Sequence, residues 1–106
     1  MDAFSAHSRI LLRQRFAATL HDAFEQSYRD PPSLARVAAY YCHARNRDYQ
    51  TERAISRYVE TLFIMYRNGI SEAQLLAHPE AREAEDYSDT GRARTLLELV
   101  KKMETA

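Results

Sequence analysis

The chain has 106 residues, 45% of them hydrophobic, and its 15 basic residues balance 15 acidic ones. The length predicts one domain over residues 1–106, large enough for a modest core, and the hydrophobic content excludes wholesale disorder. No apolar run approaches the ~20 residues that a membrane-spanning helix needs, so no contact with a membrane is expected.

Proline and glycine divide the chain into segments with helical periodicity, and no alternation typical of strands is present. The first segment, about residues 5–28, carries apolar side chains four residues apart. These side chains predict one drifting face of a long helix. They are Leu12, Phe16, Leu20, Phe24 and Tyr28.

The second predicted helix follows Pro31-Pro32-Ser33, which ends the first helix and offers a serine cap. Its inward side is predicted to be Leu34, Val37, Ala38 and Tyr41. Its opposite side carries cationic and aromatic groups at helical spacing, namely Arg36, Tyr40, His43 and Arg47. Residues 46–50 are polar and predict a bend.

The third predicted helix is capped by Thr51 and runs to about Arg67. Its core face would be Ile55, Val59, Leu62 and Tyr66, with Arg53, Arg57, Glu60 and Ile64 on the outer face. Because Phe63 lies beside an exposed Ile64, this helix is apolar on more than one side. Such a helix is usually central in the fold or buried at an interface.

The remaining third of the chain predicts a short helix and a final long one. Asn68-Gly69 fits a left-handed stop, and Ser71 with Gln74 forms a capping box before a short helix over residues 72–77, which Pro79 interrupts. The acidic segment 80–89 is a short helix or an ordered loop. The last helix is capped by Ser88, Asp89 or Thr90 and turns Ala93, Leu96, Leu97, Val100 and Met103 inward.

These elements predict an all-α fold, a small antiparallel helical bundle of four main helices plus one short helix. The antiparallel arrangement is expected because short connections place consecutive helices side by side in opposite directions.

The sequence contains no convincing catalytic or metal-binding motif. His21 and Glu25 are four residues apart with His7 on the same side, a spacing that can present metal ligands. The chain lacks HExxH, a repeated ExxH and a cysteine cluster, so surface histidines are the preferred interpretation. With two glycines, no Gly-rich phosphate loop and no Ser-His-Asp arrangement, we expect no enzyme, no metal and no cofactor. Cys42 is the lone cysteine and the N-terminus lacks the features of a secretory signal, so we expect the cytoplasm.

Arginine and tyrosine dominate the middle of the chain. Thirteen of the 15 basic residues are Arg, although genome base composition alone can produce such a bias. Residues 1–57 hold nine basic against six acidic residues, and residues 58–106 hold six against nine. A neutral but polarised chain suits self-association or a partner of mixed charge, whereas nucleic-acid binding favours a strongly basic domain.

The sequence therefore predicts a small cytoplasmic protein–protein interaction module, an adaptor, regulator or inhibitor, that also forms a homodimer. Arg and Tyr carry recognition at interfaces, so the contact surface would be an Arg/Tyr face with Phe63 and Ile64 as its apolar centre. The polar members are Arg36, Tyr40, His43, Arg47, Arg53 and Arg57. One alternative is a nucleic-acid-binding helical regulator that uses the same face. Another is that this face packs on the chain's own acidic segment 80–89.

Overall fold

The computed structural model describes the backbone of residues 3–105 and the side chains of residues 14–105. The fold is all-α, with 80% helix and no strand within the described residues. Six α-helices follow one another, and a single 3-10 turn at Ala84–Asp86 precedes the last. They are α1 (Ala3–Ser27), α2 (Leu34–Asn46), α3 (Glu52–Asn68), α4 (Glu72–Leu76), α5 (Pro79–Glu83) and α6 (Asp89–Thr105).

Pro79 begins a helix of its own, so the prediction of a single short helix is wrong. His78 is the N-cap of α5 and Pro79 occupies its first turn. Proline loses no hydrogen bond there, because the first N–H groups of a helix have no partner within the helix. The acidic segment 80–89 consequently forms most of α5, the 3-10 turn and the first residue of α6.

The chain divides into two compact units, one up to Tyr41 and one from Cys42 onward, and the division falls inside α2. The single domain over residues 1–106 stays a prediction. In the first unit α1 buries a stripe at helical spacing, Ala17, Leu20 and Phe24. Part of the predicted apolar face is thereby confirmed, while the side chain of Leu12 lies outside the described residues.

The start of α2 is capped as predicted. Ser33 Oγ accepts a hydrogen bond from the N–H of Arg36 at 3.2 Å. Leu34, the first residue of the helix, is 49% exposed, so its predicted inward position is wrong. Val37, one turn later, is fully buried, and Phe16 meets Tyr41 edge to face with 5.6 Å between ring centroids.

In the second unit α3 and α6 pack side by side and run in the same direction. At their starts Thr51 Oγ1 lies 3.3 Å from Thr90 Oγ1. At their ends Arg67 forms a 2.7 Å ion pair with Glu104, which lowers the pKa of that carboxyl. The antiparallel prediction does not hold for this pair, because α4, α5 and the 3-10 turn carry the chain back to the start of α3.

Helix α3 is the centre of the second unit and is buried on more than one side. Phe63 is 4% exposed and Ile64 is 1% exposed, so the prediction that Ile64 is an outer residue is wrong. Tyr66, predicted to face the core, is instead 61% exposed. Of the two readings that the sequence left for a helix apolar on several sides, the central position is the one observed.

The ends of α3 and α4 follow the local signals. Thr51 accepts the N–H of Ala54, Gly69 takes the left-handed conformation with φ of 65°, and Ser71 forms a capping box with Gln74. Helix α6 buries Ala93, Leu96, Leu99 and Val100. No helix in the described part of the chain has both the length and the apolarity needed to cross a bilayer.

Candidate functional site

The turn that ends α2 buries an aromatic ring within the second unit, to which this end of the helix belongs. Asp48 has a φ of 65°, the N–H of Tyr49 donates to the carbonyl of Ala44 at 3.1 Å, and the N–H of Asp48 donates to that of Arg45 at 3.2 Å. This pair of bonds is a Schellman motif, in which the residue after the left-handed position commonly packs on the fold. Tyr49 occupies that place and is only 2% exposed.

Asp89 ties the beginnings of α3 and α6 together. Its Oδ2 accepts the N–H groups of Gln50 at 2.9 Å and Thr51 at 3.2 Å, and its Oδ1 accepts the N–H of Thr90 at 2.8 Å. These backbone hydrogen bonds stabilise the carboxylate and hold the pKa of Asp89 below its ordinary value. The clasp sets the position of Arg92, less than one turn further along α6.

Four side chains, from three helices and the loop between α2 and α3, form a continuous stack. The rings of His43 and Tyr58 are 5.7 Å apart between centroids with an interplanar angle of 21°. Tyr58 and Tyr49 are 4.3 Å apart at 18°. The guanidinium of Arg92 lies 4.5 Å from the centroid of the Tyr49 ring, a favourable cation–π distance. We refer to His43, Tyr58, Tyr49 and Arg92 in this order as the aromatic stack.

Burial keeps the two tyrosine hydroxyls of the stack neutral. Loss of solvent raises the pKa of Tyr58 to about 12, with a further contribution from Tyr49. Burial also raises the pKa of Tyr49, while the neighbouring Arg92 opposes that rise. The Tyr58 hydroxyl lies 3.3 Å from Nδ1 of His43, so the stack is joined by a hydrogen bond as well as by ring contact.

The stack forms part of the wall of a cleft with a volume of about 360 Å³. Small-molecule and side-chain pockets commonly start near this size. Buried apolar groups of α3, α4, α5 and α6 line its floor, and exposed polar groups with Leu76 line its mouth. The lining residues are His43, Arg47, Tyr49, Tyr58, Leu62, Met65, Glu72, Leu75, Leu76, Ala81, Glu85, Arg92 and Leu96.

An ion pair crosses the mouth of the cleft. Nη2 of Arg47 lies 2.7 Å from Oε1 of Glu72, and both side chains are about half exposed. The hydrogen bond to Glu72 raises the pKa of Arg47. An exposed pair of this kind contributes little to stability. Its chemical consequence is that the charge of Arg47 is already balanced within the chain.

The structure brings together only part of the predicted Arg/Tyr face. His43 and Arg47 line the cleft. Arg36 and Tyr40 are half-buried residues of the first unit, and Arg53 and Arg57 line no part of the cleft. Phe63 and Ile64 do not form an apolar centre at the surface as predicted, because both are buried. Of the six polar residues of the predicted face, His43 and Arg47 are therefore the two that line the cleft.

Three members of the aromatic stack were missed as site residues. Tyr49 was placed in the polar bend of residues 46–50, and neither Tyr58 nor Arg92 was assigned to the predicted contact surface. A tyrosine directly after a helix end is a usable signal, because the residue at that position of a Schellman motif often makes an apolar contact. Arg92 had no local signal, since its partner ring at Tyr49 is remote in sequence.

Two other groups that the sequence offers are not among the residues that line the cleft. On α1 Nδ1 of His21 is 3.0 Å from Glu25, and Asp22 brings a third ligand-type atom within 4.8 Å. The His7 side chain lies outside the described residues. Cys42 is exposed. Exposed groups of this kind are common on helix surfaces, and they specify no chemistry.

Comparison of the chain with protein-family models, with curated proteins and with solved structures finds no match. The function of the protein is therefore inferred from the geometry of the cleft.

Proposed function

We propose that this protein is a small protein–protein interaction module and that a segment of its partner docks in the cleft. The observation that supports the proposal is a preformed concave site with an apolar floor and a polar mouth. Its floor includes Leu75 at 4% and Leu96 at 8% exposure, and the cleft is already open in the chain without a partner. A preformed site loses little entropy on binding.

The residue types around the cleft suit protein recognition. Tyr and Arg are enriched at the energetic centres of interfaces, where they fill desolvated pockets. Tyr49, Tyr58 and Arg92 are held by one another in the stack, so their rotamers are already fixed. Leu76 adds an apolar group at the mouth, 37% exposed, that a docked segment would cover.

The nucleic-acid alternative is the weaker candidate. Glu72 and Glu85 line the same cleft as Arg47 and Arg92, so the cleft offers no row of unopposed cations to successive phosphates. Strong nucleic-acid binding favours clustered cations without such neighbours. A steep loss of binding with added salt would favour this alternative, whereas docking on an apolar floor predicts a shallow dependence.

The predicted localisation, the homodimer and the antiparallel arrangement of the first two helices remain proposals. We place the module in the cytoplasm and keep the homodimer, although buried Phe63 and Ile64 no longer supply its contact. For α1 and α2, joined by residues 28–33, the antiparallel arrangement stays a proposal based on the short connection.

A matched pair of substitutions tests the docking site. Leu76→Glu places a charge at the mouth of the cleft, and Leu34→Glu makes the same change at an exposed leucine of the first unit. Both positions are exposed, so both variants should keep the helical circular dichroism spectrum. Tagged protein is used to capture partners from native lysate after nuclease treatment, and the captured protein is then purified for binding measurements.

We expect Leu76→Glu to weaken binding of the purified partner by more than about tenfold, as loss of a central contact does, while Leu34→Glu binds normally. Equal binding by the two variants and the unmodified chain would contradict docking in the cleft. Capture that disappears on nuclease treatment would favour the nucleic-acid alternative instead.

A further inference from the structure

Arg92 is a half-buried cation in the cleft wall whose charge no described carboxylate balances. Arg47, Arg67 and Arg94 form ion pairs with Glu72, Glu104 and Glu98 respectively, whereas Arg92 forms none with a carboxylate of residues 14–105. Taking a guanidinium partly out of water is unfavourable unless a partner compensates it. The aromatic ring of Tyr49 offers partial compensation only.

The guanidinium of Arg92 is held in a fixed position. Its Nη2 donates a hydrogen bond to the carbonyl of Arg47 at 3.1 Å, and its Cζ lies 4.5 Å from the centroid of the Tyr49 ring. Its Nε is buried without a partner in the described structure. A guanidinium carries five N–H donors in a rigid fork, so the Nη donors that these contacts leave unused can meet an acceptor that enters the cleft.

The other charged groups of the cleft do not fill this role. Arg47 already pairs with Glu72 at 2.7 Å, which leaves it less able to bind a new anion. Glu85 lines the cleft but is exposed, and in the structure it forms no ion pair with Arg92. Arg92 is thus the cation of the cleft that remains to be neutralised.

We infer that the partner segment carries a carboxylate, from Asp or Glu, beside its apolar side chains, and that this carboxylate binds Arg92. The inference rests on the proposed function and specifies the chemistry of the occupant. The apolar side chains would cover the floor formed by Leu75 and Leu96, and the carboxylate would take the free donors of the Arg92 fork. Charge-assisted hydrogen bonds of this type are about twice as strong as neutral ones.

Two short peptides test the inference without knowledge of the partner. The probes are acetyl-Leu-Glu-Leu-amide and acetyl-Leu-Gln-Leu-amide, which differ only in the charge of the central residue. Each is titrated to millimolar concentration into the isotope-labelled full chain. NMR follows the Nε–Hε signal of Arg92 and the methyl signals of Leu75 and Leu96.

We expect the Glu peptide to shift all three signals and to bind about tenfold more tightly than the Gln peptide, as a charge-assisted contact requires. Arg92→Gln should remove the preference, and Arg94→Gln, an exposed neighbour on α6 that pairs with Glu98, should keep it. The comparison of the two peptides in the unmodified chain stands even if Arg92→Gln fails to fold.

Equal shifts of the leucine methyls by both peptides would overturn the carboxylate inference and leave apolar docking intact. The absence of any shift in the cleft signals would also overturn it. In that case the comparison of Leu76→Glu with Leu34→Glu decides the proposed function separately.

Discussion

Tyr58 lies between His43 and Tyr49, and its buried environment makes its hydroxyl an unusually weak acid. Its ring is stacked on both neighbours and its hydroxyl meets Nδ1 of His43. A phenol that is neutral in the folded chain but ionises freely in the unfolded chain links folding to alkaline pH.

This linkage predicts how Tyr58→Phe behaves. The ordinary pKa of 10.0 is raised to about 12 in the fold, so the contribution of Tyr58 to stability is complete below pH 10 and is lost as pH rises towards 12. Unfolding in urea at several alkaline pH values should show a shallower loss for Tyr58→Phe. Absorbance titration should also show that this variant lacks a late-ionising tyrosine.

Tyr66→Phe is the control for this experiment, because Tyr66 is 61% exposed. It should leave the late-ionising tyrosine and the alkaline loss of stability in place. If Tyr58→Phe titrates like the unmodified chain, the stack does not bury that hydroxyl as described.

At single residues, side-chain type was a better guide to the cleft than the predicted exposure was. Arg47 and His43 were placed at a site from their types and spacing, and they line the cleft. Ile64 and Tyr49 could not be placed, because exposure depends on which other helices cover a position. A tyrosine among polar neighbours looks solvated until the backbone conformation of Asp48 is known.

The two glycines of the chain predict opposite effects at helix ends. Gly91 lies in the first turn of α6, and an added Cβ would meet Ser88 and Tyr87 at 3.5 Å, an ordinary contact. Gly91→Ala should therefore raise the free energy of unfolding by about 0.5–1 kcal/mol, because alanine restricts the unfolded chain.

Gly69→Ala should have the reverse effect. Gly69 has a φ of 65°, although nothing lies within 4 Å of the added Cβ. The left-handed conformation costs a non-glycine residue roughly 1 kcal/mol, so the variant should be less stable by about that amount. Urea unfolding of both variants checks the pair, and a shift of the same sign in both would contradict the assigned helix ends.

Asp89 predicts an acid-dependent link between α3 and α6. Backbone hydrogen bonds hold its pKa below the ordinary value of 3.8, so its stabilising contribution is present above about pH 4 and is lost as pH falls further. Asparagine retains only one acceptor oxygen for the two sides of the clasp. Asp89→Asn should therefore lower the free energy of unfolding by about 1–2 kcal/mol at neutral pH. It should also flatten the acid limb, meaning the fall of that free energy as pH drops below about 4.

Asp86→Asn is the matched control, since Asp86 is an exposed acid of the 3-10 turn. It should leave both stability at neutral pH and the acid limb nearly unchanged. An acid limb that is the same in Asp89→Asn and in the unmodified chain would show that the clasp does not link the helices.

The element boundaries were largely predictable because their signals are local. Thr51, Gly69 and Ser71 act on groups within a few residues, and each has its predicted role. Pro79 was misjudged because proline both ends a helix and favours the first turn of another. The choice between these roles depends on whether the chain beyond it can pack.

At the scale of the whole molecule, the cleft is formed by the route that the chain takes between α3 and α6. Helices α3 and α6 are parallel because the connection between them returns along their length. That return places α4 and α5 beside the aromatic stack and encloses the cleft. A short-connection rule cannot anticipate this, so neither the parallel pair nor the cleft could be predicted from periodicity.

The chain path also explains why only part of the predicted Arg/Tyr face lines the cleft. Residue types indicated recognition, but the geometry gathers His43 and Arg47 with side chains from α4 and α6 rather than with Arg53 and Arg57. The alternative in which this face packs on the acidic segment 80–89 stays a prediction. Arg47 pairs within the chain with Glu72, which lies outside that segment.

The most direct measurement is an amide hydrogen-exchange footprint of the full chain with its captured, purified partner. Docking in the cleft predicts slowed exchange in α4 and in the first turns of α6, with little change in α1. Protection confined to α1, or none in α4 and α6, would contradict the cleft as the site of partner binding.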